Sequence, residues 1–312
     1  MITIKRYNIV QKQIWDDFVQ NAKNKAFMLM RDYMEYHADR FIDHSLLLYA
    51  DDELVALLPA SIHGTELRSH GGLTYGGLIC GYTIKQHIVN DCFLAIKAYM
   101  YDNNIKRLIY KPMPQIYHRY PTQEDLYALW LNNAKIIKRD VSTTIEFIDC
   151  LIKLPKGRKA QIARAKRVGI EVGESNDFKK FIDLENQVLS RYHQTKAVHT
   201  ASELELLHSC YPNNIKLLVA KYNDEIVAGA LIFVYDNVVH VQYMASSEFG
   251  RANGGLDLVI VTIIEQYRLE KRYLDFGIST EDGGRVLNNG LISQKESFGG
   301  RSVVYDCYEL TI

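Results

Sequence analysis

Along this chain the apolar and polar positions follow two rhythms, one of period two and one near 3.6, and the order in which they alternate occurs twice. ITIKRYNIV opens as a strand-like run, and QKQIWDDFVQNAKNKAFMLMRDYMEYHADR, residues 11–40, follows with helical spacing. SLLLYA and LVALLPASIHG, separated by Asp51-Asp52-Glu53, predict a hairpin. A glycine-rich connector, SHGGLTYGGLIC, leads to an amphipathic helix at about 84–101, the strand IKRLIYKPM, a helix around 124–133 and the strand STTIEFIDCLI. From Ile170 the order restarts with the strand IEV and the helix FKKFIDLENQVLSRYHQ. The hairpin KLLVAKYNDEIVAGALIFVYDN then runs on into VVHVQYMASSE, a helix begins near Gly254, and the strands YLDFG and SVVYDCYEL close the chain. Repetition of plan, with little residue identity between halves, predicts two similar domains, 1–150 and 151–312, of the α/β (α+β) class.

Composition narrows the partners. With 312 residues, 47% apolar and 24% charged, the chain is long enough for two packed cores. Lys plus Arg equals Asp plus Glu at 37 each, and cutting after residue 150 leaves 17 of each sign before the cut and 20 after. Neither half carries the cationic excess on which general nucleic-acid binding depends, so DNA is not an expected partner. The five cysteines, Cys80, Cys92, Cys150, Cys210 and Cys307, are widely spaced and form no CxxC pair, which predicts free thiols. The N-terminus lacks the apolar core of a signal peptide and no run reaches the roughly 18 apolar residues of a membrane span, so a cytoplasmic protein is expected.

The strongest local charge lies at 153–172, KLPKGRKAQIARAKRVGIEV. At 100° per residue Lys156, Lys159, Arg164, Lys166 and Arg167 share about half of a helix, and Ile162, Ala165 and Val168 form the opposite strip, interrupted by Arg158 at the start of the helix. This helix sits at the junction of the two repeats. A solvated charged face and a face that contacts one phosphorylated substrate in a cleft between the domains are both open readings; a duplex footprint would need more cations.

After the strand VVHVQYMASSE comes FGRANGGLDLVIVTIIEQY, in which Gly254 and Gly255 precede a long apolar helix. Such a turn either brings backbone N–H groups close to an anion or serves tight packing. In its βαββ…βαβ context it resembles the GNAT acyltransferase superfamily, whose members hold the pyrophosphate of CoA with Q/R-x-x-G-x-G/A. Arg251 and Gly254 match, and Leu256 replaces the last small residue. The resemblance implies two GNAT-like domains, each a mixed, mostly antiparallel sheet flanked by helices, with the donor site in the second. It further implies that Arg251, Asn253, Gly254 and Gly255 bind acyl-CoA, acetyl-CoA in the first instance, and that N–H groups of Met244, Ala245 and Ser246 hold the acyl carbonyl. Strict alternation puts Val239, Val241 and Tyr243 on one face of this strand and His240, Gln242 and Met244 on the other. His240 is then either a general base or a satisfied, partly buried histidine.

YLDFGISTEDGGRVLNNGLISQKESFGG, residues 273–300, has a DFG without the HRD loop of a kinase. It resembles instead the ending of Fem-type peptidyltransferases and their tandem-GNAT relatives, through Asp275, Phe276 and Gly277, then Asn288 and Gly290, then Lys295, Phe298 and Gly299. That resemblance implies that Lys295 stabilises the oxyanion of a tetrahedral intermediate, the alternative being a surface lysine beside a Gly-Gly turn. Asp275 would orient Lys295 or the acceptor amine, or else cap a strand end. Arg164, Lys166 and Arg167, in a loose match to the family's I-x-[RK]-A-x-[RK]-x-G, would bind acceptor together with Asn288 and with Tyr192 and His193 of the loop RYHQTKAVHTASEL. A metal site lacks a third ligand. The function expected is transfer of an acyl group from acyl-CoA to an amine of a cell-envelope or surface-glycan precursor, as in polysaccharide biosynthesis. The alternatives are aminoacyl-tRNA-dependent peptidyl transfer, less favoured because no heptad arm is present, and a non-catalytic module for a phosphorylated ligand.

Overall fold

A computed structural model of the chain describes residues 1–147, 154–193 and 195–312, apart from the side chains of Tyr192 and His193. Cys150 lies outside the described residues; the other four cysteines are free thiols. The chain divides into two compact units, one made of 1–141, 280–286 and 304–312 and the other of 142–279 and 287–303.

In the first unit β1 (Ile2–Arg6) is followed by α1 (Lys12–Asn21), α2 (Arg31–Glu35), β2 (Leu46–Ala50), β3 (Glu53–Leu58), β4 (Ser61–His63), β5 (Glu66–Arg68), β6 (Ile79–Cys80), α3 (Gln86–Asp102), β7 (Arg107–Tyr110) and α4 (Glu124–Leu131). One sheet has the order β1-β2-β3-β6, all antiparallel. The helix expected over 11–40 is broken, because residues 22–30 answer to tertiary partners. The Asn24 amide donates to the Leu78 carbonyl and its oxygen accepts from the Cys80 N–H, while Lys23 pairs with Glu124. Such bonds outweigh a helical pattern whose intrinsic gain per residue is a few tenths of a kcal/mol.

β8 (Lys135–Glu146) runs from the first unit into the second. The second unit continues with α5 (Lys156–Val168), β9 (Glu171–Ser175), α6 (Phe178–His193), α7 (Ala201–Cys210), β10 (Ile215–Tyr222), β11 (Glu225–Val234), β12 (Val238–Ser246), α8 (Glu248–Ala252), α9 (Gly255–Tyr267) and β13 (Tyr273–Ile278). After the short β14 (Thr280–Glu281) and β15 (Val286–Leu287) come α10 (Asn289–Glu296) and β16 (Arg301–Thr311). Its strands lie in the order β8-β13-β12-β11-β10-β9, antiparallel except for β12 beside β13. The chain end returns to the first unit because Tyr308 to Thr311 of β16 pair with Tyr110 to Arg107 of β7.

The repeat of plan is visible in the turns. Asp51 and Asp52 in the β2/β3 hairpin, and Asn223 and Asp224 in the β10/β11 hairpin, all have positive φ. That is the two-residue geometry whose twist suits antiparallel strands, and short Asn and Asp side chains tolerate it. The second unit's core joins Ala228, Ala230, Val239 and Val241 of the sheet to Val259, Ile260 and Ile263 of α9 and Ala165 of α5. This core covers one face of the sheet, and α6 packs on the other, where Phe181 meets Gly229. Among the described residues no helix is long and apolar enough to cross a membrane.

Candidate active site

The site is built where β12 and β13 part. The two strands pair in parallel only through Val238, Val239 and His240 with Tyr273, Leu274 and Asp275. Beyond these no ladder joins them, so alternate N–H groups of β12 past His240 point away from β11 without a strand to meet them. Two bulges sharpen the opening. Leu231 pairs with Tyr243 and Ile232 with Val241, which leaves Gln242 as an extra residue in β12. In β13, Asp275 pairs with Thr144 but Ile278 with Ser142, so Phe276 and Gly277 oppose a single residue of β8, and Gly277 takes φ +73°.

The bulge at Gln242 corrects the strict alternation expected for β12. Val239 and Val241 face the α9 core and Met244 packs there too, whereas His240 pairs with Phe233 and Tyr243 with Leu231, on the face of Gly229. His240 and Tyr243 are therefore neighbours on one face, roughly 7 Å apart along the strand. Asp275 is on that face as well, since Leu274 and Phe276 belong to the α9 core.

Asp275 is fully buried, at 0% exposure. Its Oδ1 accepts from Ser142 Oγ at 2.5 Å and Thr144 Oγ1 at 2.9 Å, and its Oδ2 stands 2.8 Å from His240 Nδ1. A carboxylate held by two hydroxyls accepts the Nδ1 proton of the imidazole, which makes Nε2 the basic nitrogen. Asp275 thus orients His240, and its charge also acts on Lys295. Burial brings this about: in the sheet interior the carboxylate needs close donors, and β8 and β12 supply three.

Lys295 is 3% exposed in the last turn of α10, where a cation suits the helix dipole. Its Nζ donates to the carbonyls of Gly277 at 2.9 Å and Ile278 at 2.7 Å, the two groups that the β13 bulge turns toward it. Burial lowers its pKa to about 8, and the nearby Asp275 charge opposes this only in part. A Cβ on Gly277 would come within 3.4 Å of His240 Cε1, so the dyad and the lysine approach the same glycine from different elements. It is a buried lysine, and the reading of it as a surface residue falls.

The other candidates stand on the elements around this point. Asn288 caps α10, its Oδ1 accepting from the Leu291 N–H. Arg164, Lys166 and Arg167 are exposed along α5, which ends at Gly169 in the left-handed conformation. Arg158, expected as an interruption of the apolar strip, is the bond between three elements. It pairs with Asp257 of α9 at 2.6 Å, donates to Ser297 Oγ at 2.8 Å and to the Gln294 carbonyl at 3.2 Å, and lies over the Phe298 ring. Arg158 therefore ties α5 to the first turn of α9 and to the segment that carries Lys295.

The glycine turn has a packing reason. Gly254 sits at φ +74°, and a Cβ there would overlap the carbonyl oxygen of Gln161 on α5; one on Gly255 would come within 3.3 Å of Ala228 Cβ. Arg251 is exposed, and the Asn253 amide donates to the Phe249 carbonyl. Met244 is half-buried, and Ala245 and Ser246 are buried, on the far part of β12. Tyr192 and His193 end α6, and their side chains lie outside those described.

Two groups escaped the sequence reading. Tyr243 Oη meets His199 Nδ1 at 2.7 Å, a contact that depends on the bulge. Glu185 is 5% exposed, and its Oε2 has no hydrogen-bond partner. Burial pushes its pKa up to about 7. Its signal was present in the pattern: Phe178, Phe181, Ile182 and Glu185 share one stripe of α6, and a glutamate there occupies an apolar position.

Comparison with known proteins defines the class first. The chain has the fold of a solved FemX structure, with TM-score 0.69 at 13% identity over 99% of this chain and 97% of that one. It is similar in fold to L-PGS from Bacillus licheniformis, with TM-score 0.64 at 14% identity over 98% and 92%, and to a tandem GNAT protein from the clavulanic acid biosynthesis pathway, with TM-score 0.55 at 8% identity over 100% and 98%. No curated protein matches the chain. Residues 156–282 match the family described as Acetyltransferase (GNAT) domain. The chain is thus a two-unit GNAT-fold protein that carries an acyltransferase domain of the GNAT family.

Proposed function

We propose that the chain transfers an acyl group from an acyl-CoA thioester to an amine, with the His240–Asp275 dyad and Lys295 as the reacting machinery. The observation that carries this reading is the convergence of a buried, oriented imidazole and a buried lysine on Gly277, at the parting of β12 and β13. The amine nitrogen attacks the acyl carbon, and His240 Nε2 takes the proton that the nitrogen sheds. N–H groups of β12 near Met244, Ala245 and Ser246, with Lys295, face the negative charge on the tetrahedral oxygen. As the carbon–sulfur bond breaks, Lys295, with its pKa near 8, gives a proton to a thiolate of similar basicity. The acceptor is the amine of a phosphorylated cell-envelope or surface-glycan precursor whose phosphate meets Arg164, Lys166 and Arg167, and the reaction is a cytoplasmic one.

One observation favours a second donor. The Gly254 turn is packed against the Gln161 carbonyl of α5, and the first turn of α9 bears the Asp257 carboxylate, a like charge beside any diphosphate held at this helix end. An aminoacyl ester carried by tRNA places its phosphates elsewhere and escapes this conflict. A thermal-shift panel of acetyl-CoA, longer acyl-CoAs, aminoacyl-tRNA and UDP-linked amino sugars decides between them, since a ligand that binds only the native state raises its melting temperature. Stabilisation by acyl-CoA, with turnover lost in Asp275→Asn, supports the first reading; stabilisation by aminoacyl-tRNA alone replaces it with the second. A null panel sinks both.

A further inference from the structure

Glu185 has no role in that chemistry and no partner among the described residues, yet it lies in the buried stripe of α6. Its buried Oε2 meets neither a donor nor a cation among the described residues when ionised, and an O–H placed there meets no acceptor among them. Maintaining an orphan carboxylate at an apolar helix position costs stability, and apolar replacements for it are plentiful. Such a residue points to a ligand that completes it.

Its surroundings say which kind. α6 packs across β12, and the strand face beneath it carries His240, Tyr243 and Asp275. The Tyr243 hydroxyl is held by His199, and besides burial the Glu185 carboxylate helps to raise the tyrosine's pKa, so the two lie within electrostatic reach. Asp275 already has Ser142, Thr144 and His240 as donors, so the acceptors left on this face are the Glu185 carboxylate and the phenol oxygen, a pair that favours a small cation with several N–H donors. No group of three or more metal-ligating side chains occurs among the described residues.

We propose that Glu185 is the anchor for a primary ammonium group of the substrate, held beside Tyr243 on the face of the sheet that carries the His240–Asp275 dyad. Placing the ammonium next to the reacting centre rests on the acyl-transfer reading; binding of the cation does not. Two sources share this chemistry, the acceptor amine itself and the amino group of an aminoacyl donor.

The test is a titration of the full chain at pH 8, read in the amide spectrum at Tyr243 and His199. The probes are n-butylammonium as the acceptor type, glycine methyl ester as the aminoacyl type, and n-butanol as the neutral control. At least one ammonium probe should bind the wild type, bind Glu185→Gln at least tenfold more weakly, and leave n-butanol without effect. The tighter of the two ammonium probes names the source. Equal binding of both ammonium probes to wild type and Glu185→Gln, equal binding of n-butanol, or no binding to the wild type overturns the proposal. The same spectrum shows whether the variant is folded. Asp275→Asn should keep ammonium binding while losing turnover, so failure of the transfer reading leaves the anchor standing, and failure of the anchor leaves the transfer reading untouched.

Discussion

Glu185→Gln tests the energetics of that orphan carboxylate without any ligand. In the native state burial raises the carboxyl pKa from 4.5 to about 7. Below pH 4.5 both folded and unfolded chains hold the proton and the group contributes nothing. Between 4.5 and 7 the unfolded chain ionises while the native one keeps its proton, so rising pH weakens the wild type. Above 7 the penalty is complete, and the gap corresponds to about 3 kcal/mol at about 1.4 kcal/mol per tenfold change in proton affinity. Glutamine does not titrate, and the cost of its own unpaired amide is the same at every pH. The difference in unfolding free energy between variant and wild type should therefore move by about 3 kcal/mol in the variant's favour from pH 4.5 to pH 8.5. Urea unfolding at four pH values, read at the amides of β11 and β12, measures it for the second unit alone. A difference that is flat with pH would show that Glu185 is solvated, and one that moves against the variant would show a native partner for the carboxylate; either result refutes the reasoning.

Asp275→Asn keeps acceptors for Ser142 and Thr144 on its Oδ1 but presents an NH₂ to His240 Nδ1, forcing the proton to Nε2; acyl transfer should fall by roughly a thousandfold or more, with the fold intact and the tautomer visible in imidazole nitrogen shifts. Arg158→Met leaves the Asp257 carboxylate, 13% exposed, without its cation, and should destabilise the second unit by about 3 kcal/mol in urea unfolding; a loss under 1 kcal/mol would make the pair incidental. Gly254→Ala places a side chain at positive φ against the Gln161 carbonyl and should cost about 3 kcal/mol before any ligand is added. Wild-type stability with loss of acyl-CoA binding alone would instead make the turn a phosphate cradle.

Much of the fold follows from local pattern. Period two and period 3.6 mark most strands and helices, Asp51-Asp52 and Asn223-Asp224 mark the hairpins, and the α5 helix over 156–168 and the helix from Gly255 stand where the apolar strip and the glycine turn put them. Asp275 and Lys295 were named through the resemblance of 273–300 to the Fem-type ending, and His240 through strand alternation and the chemistry of an imidazole.

What the sequence by itself did not determine is which of these groups meet. Strict alternation put Tyr243 and His240 on opposite faces, and only the extra residue at Gln242, a matter of register against β11, brings them together. Asp275 turns to His240 because parallel pairing sets those two residues side by side, 35 positions apart in the chain. Arg158 looked like a flaw in an amphipathic helix until Asp257 and Ser297 were seen around it, and that Gly254 packs against Gln161 is likewise a matter of tertiary contact. Burial and pairing depend on the whole surrounding structure, and a pattern along the chain carries neither; that is why candidate residue types were legible in the sequence and their partners were decided by the tertiary fold.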